Sequence, residues 1–127
     1  MLDHVSLPSA DLERASAFYD AVLATLGLTR RKQRPGAVGY GPPSRPAPVF
    51  WILAQAPTGA ARPGSGLHVS FQAQDRASVE AFYRTALDSG ATGAGEPGPR
   101  PEYTQPFFGA FVLDLDGYKI EAVCRSP

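Results

Sequence analysis

The chain repeats itself. A shift of 64 residues sets His4 on His68, Val5 on Val69, Ser6 on Ser70, Asp11 on Asp75, Ala17 on Ala81, Phe18 on Phe82, Tyr19 on Tyr83 and Leu23 on Leu87 without a gap. Those are eight identities in twenty positions, where unrelated sequences would share about one. A tandem duplication restricts the fold to two copies of one unit, each about half of the 127 residues and too small to bury an adequate core alone.

The unit can be read from its periodicities. Leu12, Ala15, Phe18, Tyr19, Val22, Leu23 and Leu26 recur at three- and four-residue intervals, the spacing of one helix face. Ser9 or Asp11 can cap that helix and Gly27 can end it. In the second copy Asp75 is the cap, Val79, Phe82, Tyr83, Ala86 and Leu87 form the apolar stripe, and Gly90 is the stop. A β-like run precedes each helix, Leu2–Leu7 and Leu67–Phe71. Three more follow each: Leu28–Gln33, Ala37–Tyr40 and Val49–Gln55, then Ala91–Ala94, Gly109–Asp114 and Lys119–Cys124. Asp116-Gly117 between the last two is a hairpin signal. The 13 Gly and 13 Pro exceed average usage, yet they crowd into Pro35–Pro48, Pro57–Gly66 and Gly90–Pro106, the connectors of a strand-rich chain.

Strand alternation sorts side chains by face. His4 and Ser6 stand opposite Val5 and Leu7, His68 and Ser70 opposite Val69 and Phe71, and Glu121 opposite Ile120, Ala122 and Cys124. The apolar sides suit packing on the helices, which leaves His4, His68, Glu121, Ser6 and Ser70 on the other side. The chain has only 2 His, and both occupy the same position of the repeat. Two imidazoles and a carboxylate make a three-point metal site with open positions for substrate or water. Paired histidines inherited for packing or hydrogen bonding are the plainer alternative.

Charge and cysteine content narrow the partners. With 12 Lys+Arg against 12 Asp+Glu and a pI near 6.7, the chain lacks the basic footprint of nucleic-acid or anionic-membrane binding. Cys124 alone makes no intrachain disulfide and fits a reducing compartment, so the cytoplasm is expected. Its place on an apolar strand face points to buried packing. The opening residues lack a basic region followed by an apolar stretch, and Val49–Ala54 is too short to cross a bilayer, so neither a secretion signal nor a membrane span is expected. Arg30-Arg31-Lys32-Gln33-Arg34 reads as a solvated edge strand guarded by charge. The loop from Arg100 to Phe108 concentrates charged, phenolic and aromatic groups before the strand pair that leads to Glu121.

The segments LDHVSLPSADLERASAFYDAVL, GLHVSF and AFVLDLDGYKIEAV resemble the vicinal-oxygen-chelate superfamily of glyoxalase, bleomycin-resistance and extradiol dioxygenase proteins. The resemblance implies an α+β fold of tandem βαβββ modules forming a curved eight-stranded mixed sheet around a cleft. It also implies metal ligands on the first and last strands of each module, matched here by His4, His68 and Glu121. Setting Val49–Leu53 against Lys119–Val123 puts Trp51 where glyoxalase I and related epimerases carry a fourth ligand. Tryptophan is no metal ligand, which disfavours glyoxalase I activity and favours three-ligand members. Two modules rather than four argue against the larger dioxygenases.

The expectation is one domain over 1–127, with modules at 1–56 and 67–127 and a linker at 57–66. It is a small cytoplasmic metal-dependent enzyme of the glyoxalase/dioxygenase type that chelates an oxygen-bearing small molecule. One divalent ion, Mn, Fe, Ni, Zn or Co, would be held by His4, His68 and Glu121. Glu121, Tyr103 and Glu102 are candidates for proton transfer. Trp51, Tyr40, Arg100, Phe108, Ser6 and Ser70 are candidates for substrate contact, with Arg100 holding an anionic group. Family resemblance suggests a homodimer. The rival reading is a metal-independent protein that sequesters a small aromatic or antibiotic molecule.

Overall fold

A computed structural model describes residues 1–55, 66–103 and 106–126. The element order is β1 (Val5–Ser9), α1 (Leu12–Ala24), β2 (Thr29–Arg34), β3 (Ala37–Gly41), β4 (Phe50–Ala54), then β5 (His68–Gln72), α2 (Arg76–Asp88), β6 (Thr92–Pro99), β7 (Phe108–Leu113) and β8 (Lys119–Cys124). This is βαβββ twice, the α+β architecture that the repeat implies. The eight strands divide into two four-stranded mixed sheets, β1-β4-β3-β2 and β5-β8-β7-β6, one per module. In each, the first and last strands of the module lie side by side in parallel and the other pairings are antiparallel. Of the expected linker, only Gly66 is among the described residues.

The helices form where their caps and stripes predict. The Asp11 side chain accepts from Arg14 N, and that of Asp75 from Ser78 N, each satisfying an orphan N–H of the first turn. Ser9, the other candidate cap, instead accepts from Asp11 N through its hydroxyl. Both helices end alike: Leu28 N donates to Leu23 O and Ala91 N to Ala86 O. Gly27 and Gly90 supply the positive φ that this reversal needs, 77° and 104°.

Each helix packs on its own sheet, and α1 also touches α2. The core on this helix side holds Phe18, Tyr19, Leu23, Phe50 and Ile52 from the first module and Phe71, Val79, Phe82, Val112 and Ile120 from the second. Burying side chains of this kind stabilises the fold by roughly 1.5–3 kcal/mol each. The Phe50 and Phe71 rings meet edge to face at 5.1 Å, joining the modules through one aromatic contact. Cys124 is buried, as its strand face implies. The stripe of α2 is narrower than its sequence suggests: Leu87 is exposed and Tyr83 half-buried, because Val79, Phe82 and Ala86 alone face the sheet fully.

Polar groups also tie the modules together. The β7–β8 turn reaches back to the first module, where Ser9 Oγ donates to Asp116 Oδ2 at 2.7 Å and Ala10 N to Asp116 Oδ1 at 3.0 Å. The Tyr19 hydroxyl donates to buried Asp114. Burial raises the Asp114 carboxyl above its ordinary value, partly opposed by the Tyr19 hydroxyl and the Tyr118 and Asp116 N–H groups that it accepts from. The same burial, with Asp114 beside it, raises the Tyr19 phenol. At the outer edge of the first sheet, β2 is exposed along its whole length, and its charged side chains guard an otherwise open strand edge.

Candidate functional site

The side of each sheet away from the helices carries the candidate chemistry. In the second module β5 and β8 run in parallel with His68 opposite Lys119 and Ser70 opposite Glu121. His68 and Glu121 are therefore diagonal neighbours on one face, within reach of each other. His68 Nε2 lies 3.4 Å from Glu121 Oε1; the imidazole is 42% exposed and the carboxylate only 4%. The second carboxylate oxygen, Oε2, is buried with no hydrogen-bond partner. A carboxylate removed from water needs a compensating donor or cation. Gly109 lets the Phe107 ring pack beside it: a methyl group there would stand 2.9 Å from that ring and 3.4 Å from Oε2.

The first module has the same register with different contents. Ser6 lies opposite Trp51, as Ser70 lies opposite Glu121, so Trp51 occupies the position equivalent to Glu121. Its ring lies under the Arg34 guanidinium at 4.7 Å. Gly39, paired with Trp51 across β3–β4, leaves the room that Pro48 and the indole fill, since a methyl there would come within 2.7 Å of Pro48 and 3.0 Å of Trp51.

His4 falls just before β1 rather than within it, because the pairing with β4 begins at Val5. Its Nδ1 is 2.7 Å from Asp3 Oδ2, and Asp3 also accepts from Arg45 Nη2 at 2.6 Å. The hydrogen bond with His4, and after it the Arg45 guanidinium, hold the Asp3 carboxyl below the usual carboxylate range. The residue equivalent to Asp3 is Leu67, so His68 has no adjacent carboxylate and faces Glu121 instead. His4 lines a cavity of about 420 Å³ that Ser70, Val69, Val49 and Arg45 also border. Among the described residues, no three His, Cys, Asp or Glu side chains of one chain converge to hold a metal ion. His68 and Glu121 are brought together; His4 stands apart from them.

The remaining candidates divide by face. Tyr40 is fully buried in the helix-side core, where its hydroxyl donates to Ser16 O or Asp20 Oδ1, each at 2.9 Å. It cannot line a cleft on the other face, because β3 directs it toward α1. Phe108 is likewise a core residue, with the Arg76 guanidinium of α2 over its ring at 4.9 Å. The alternation of β7 turns Phe108, Ala110 and Val112 to the helices and Phe111 to the open face. Ser6 and Ser70 are exposed on their strands. Glu102 and Tyr103 are exposed on the loop, Tyr103 stacking edge-on against Phe107 at 5.1 Å; Thr104 and Gln105 lie outside the described residues. Arg100 folds back along β6, its Nη2 donating to Glu96 O at 2.6 Å and its Nη1 to Pro99 O at 3.2 Å.

Two residues of this face went unselected in the sequence. Phe111 lies opposite Glu121 on β7, with the His68 ring 6.0 Å away. Lys119 Nζ sits over the same ring at 4.8 Å. Carrying the alternation of β8 across the Asp116-Gly117 hairpin would have found Phe111.

Buried unpaired Oε2 and the neighbouring imidazole suit a cation held by His68 and Glu121, with further ligands needed from elsewhere. Comparison with known proteins agrees with the architecture. A "Probable lactoylglutathione lyase" of Synechocystis sp. (strain ATCC 27184 / PCC 6803 / Kazusa) is 32% identical, the match covering 97% of this chain and 94% of that one. A glyoxalase/bleomycin resistance protein from Albidiferax ferrireducens T118 superposes with a TM-score of 0.85 at 32% identity, over 99% of both chains. A glyoxalase/bleomycin resistance protein/dioxygenase family enzyme from Burkholderia phytofirmans PsJN shares the fold, with a TM-score of 0.74 at 18% identity over 98% of both chains. The family model of the Glyoxalase/Bleomycin resistance protein/Dioxygenase superfamily matches residues 1–122, and the chain belongs to that superfamily.

Proposed function

We propose that this protein is a small metal-dependent enzyme of the glyoxalase/dioxygenase type, in which His68 and Glu121 hold one divalent cation and an oxygen-bearing substrate binds against it. The observation that carries this reading is the Glu121 carboxylate, buried beside His68 with one oxygen unpaired. A cation there would act as a Lewis acid toward substrate oxygens; Mn, Fe, Ni, Zn and Co all suit this ligand set. His4, separate from the pair within one chain, completes the set from a second copy in a homodimer. In this arrangement each site takes an imidazole from one chain and the His68–Glu121 pair from the other.

The protein's own groups do the rest. Glu121 fixes the imidazole of His68 while keeping water from its inner oxygen. Trp51 offers a flat apolar wall from the first module, and Ser6 and Ser70 offer hydroxyls on the same face. Tyr103 and Glu102, on the exposed loop, exchange a proton with substrate or solvent. Trp51 in place of a fourth ligand argues for chemistry other than that of glyoxalase I. The lone buried cysteine is in keeping with a cytoplasmic setting.

Trp51 beneath Arg34 also favours one rival, a protein that sequesters an aromatic molecule without metal. Metal analysis separates the two. Protein purified without chelator is expected to carry stoichiometric metal that is lost in His68→Ala and in Glu121→Ala. Equal trace metal in all three proteins would contradict the enzyme reading and leave the sequestration reading standing.

A further inference from the structure

We propose that Arg100, Lys119 and Phe111 form a subsite for a carboxylate or phosphate group of the substrate, beside the His68–Glu121 pair; the proposal deepens the metal-dependent reading and rests on it only for the position of the rest of the substrate. Two cations converge on one ring here: the Arg100 guanidinium lies 5.9 Å from the Phe111 centroid and Lys119 Nζ 4.8 Å from it. Like charges gathered at one ring repel unless an anion lies between or above them. Among the described residues neither cation is in an ion pair. Glu121, which lies opposite Phe111, is buried and engaged by His68.

Arg100 is held in place. Its two terminal nitrogens donate to the Glu96 and Pro99 carbonyls, which fixes the plane of the guanidinium without neutralising it. The glycines of β6 make this possible. A methyl group at Gly95 would stand 3.4 Å from Arg100 Nη2 and 3.0 Å from the Phe111 ring, and one at Gly98 would stand 3.1 Å from Nη1. The side chain therefore lies against the strand at two glycines, a cost in strand stability that a solvated surface arginine does not require. A guanidinium fixed in plane matches an oxyanion with two oxygens, and a lysine over the same ring adds a point charge.

Lys119 also sets the distance to the metal ligands, because it is paired with His68 across β5–β8. The His68 and Phe111 rings are 6.0 Å apart. A small molecule can therefore place its anionic end over Phe111 and its chelating oxygens at His68 and Glu121. The substrate class that follows is an organic acid or phosphate ester of a few carbon atoms with a second oxygen function, rather than a neutral molecule.

The test is a titration of the full-length ¹⁵N-labelled protein, followed by NMR, with benzoate, phenyl phosphate and neutral benzamide, each with and without EDTA. Benzoate and phenyl phosphate are expected to shift the Gly95, Gly98, Phe111 and Lys119 amides in a saturable way under both conditions, and benzamide is not. Arg100→Gln and Lys119→Gln should each raise the anion Kd at least fivefold while keeping wild-type metal content and the dispersed spectrum of a folded chain. Anion binding that vanishes with EDTA and ignores both substitutions would overturn the subsite but leave the metal reading intact. Equal shifts with benzamide and benzoate would overturn the subsite outright.

Discussion

The two modules share a backbone plan and a strand register, yet the same coordinate of that plan is spent differently in each. Opposite Ser70 stands Glu121, buried beside His68. Opposite Ser6 stands Trp51, lying under the Arg34 guanidinium. One position before each histidine the contrast reverses, with Asp3 in the first module and Leu67 in the second. The first module thus ties its imidazole to an exposed carboxylate at the surface, whereas the second directs its imidazole to a buried one. The shared plan thus carries a buried carboxylate beside an imidazole in one module, and in the other a tryptophan under an arginine with a histidine paired to Asp3.

The largest expected effect tests that division directly. Glu121→Ala should weaken metal binding by more than about 100-fold, since it removes a ligand rather than a supporting group. Trp51→Ala should change it by less than about twofold. Equilibrium dialysis with Zn²⁺ or Mn²⁺ measures both, and a comparable loss in the two variants would show that the modules contribute alike.

A second contrast concerns the repeat-equivalent tyrosines. Tyr19 is buried and donates to Asp114 across the module boundary, while Tyr83 is half-buried at the surface of α2. Removing the first hydroxyl leaves a buried carboxylate short of a donor, so Tyr19→Phe should cost about 1–3 kcal/mol in urea unfolding. Tyr83→Phe should stay within about 0.5 kcal/mol. Equal costs would mean that the hydroxyl joining the modules contributes nothing special.

The smallest effect is in pH dependence. Burial raises Asp114 in the folded protein, so the folded state holds this proton more tightly than the unfolded chain does. The stability it contributes is complete below the ordinary aspartate value of 3.8 and is lost as pH rises through the higher folded value. Asp114→Asn keeps the shape without the titration. Wild-type stability relative to this variant should therefore fall as pH rises above the ordinary aspartate value of 3.8. A difference that grows with pH would contradict the assignment of burial as the dominant cause.

Much of this was legible in the residues. Repeat, caps and stripes placed both helices, and β8 spans Lys119–Cys124 as its alternation predicts. The offset between Trp51 and Glu121 also held, because strand register repeats when backbone plans repeat. Faces were harder to assign than elements. Tyr40 and Phe108 were expected on a cleft from their aromatic character, but aromatic residues suit the core equally well, and only the pleat of β3 and β7 decides. His4 was expected inside a strand, but an edge strand frays where its neighbour stops pairing, and Asp3 and Arg45 then hold the imidazole elsewhere. The contacts of Asp114 and Asp116 with the first module are about a hundred residues apart in sequence, and no local pattern announces them.

The central claim is that a working site joins His4 of one chain to the His68–Glu121 pair of another, and subunit mixing tests it most directly. His4→Ala and Glu121→Ala proteins, each expected to have lost its metal, are unfolded together and refolded, and bound metal is then measured. Each mixed dimer regains one intact site, so metal should reappear in proportion to the mixed dimers formed. Verified exchange with no recovered metal would contradict the shared site.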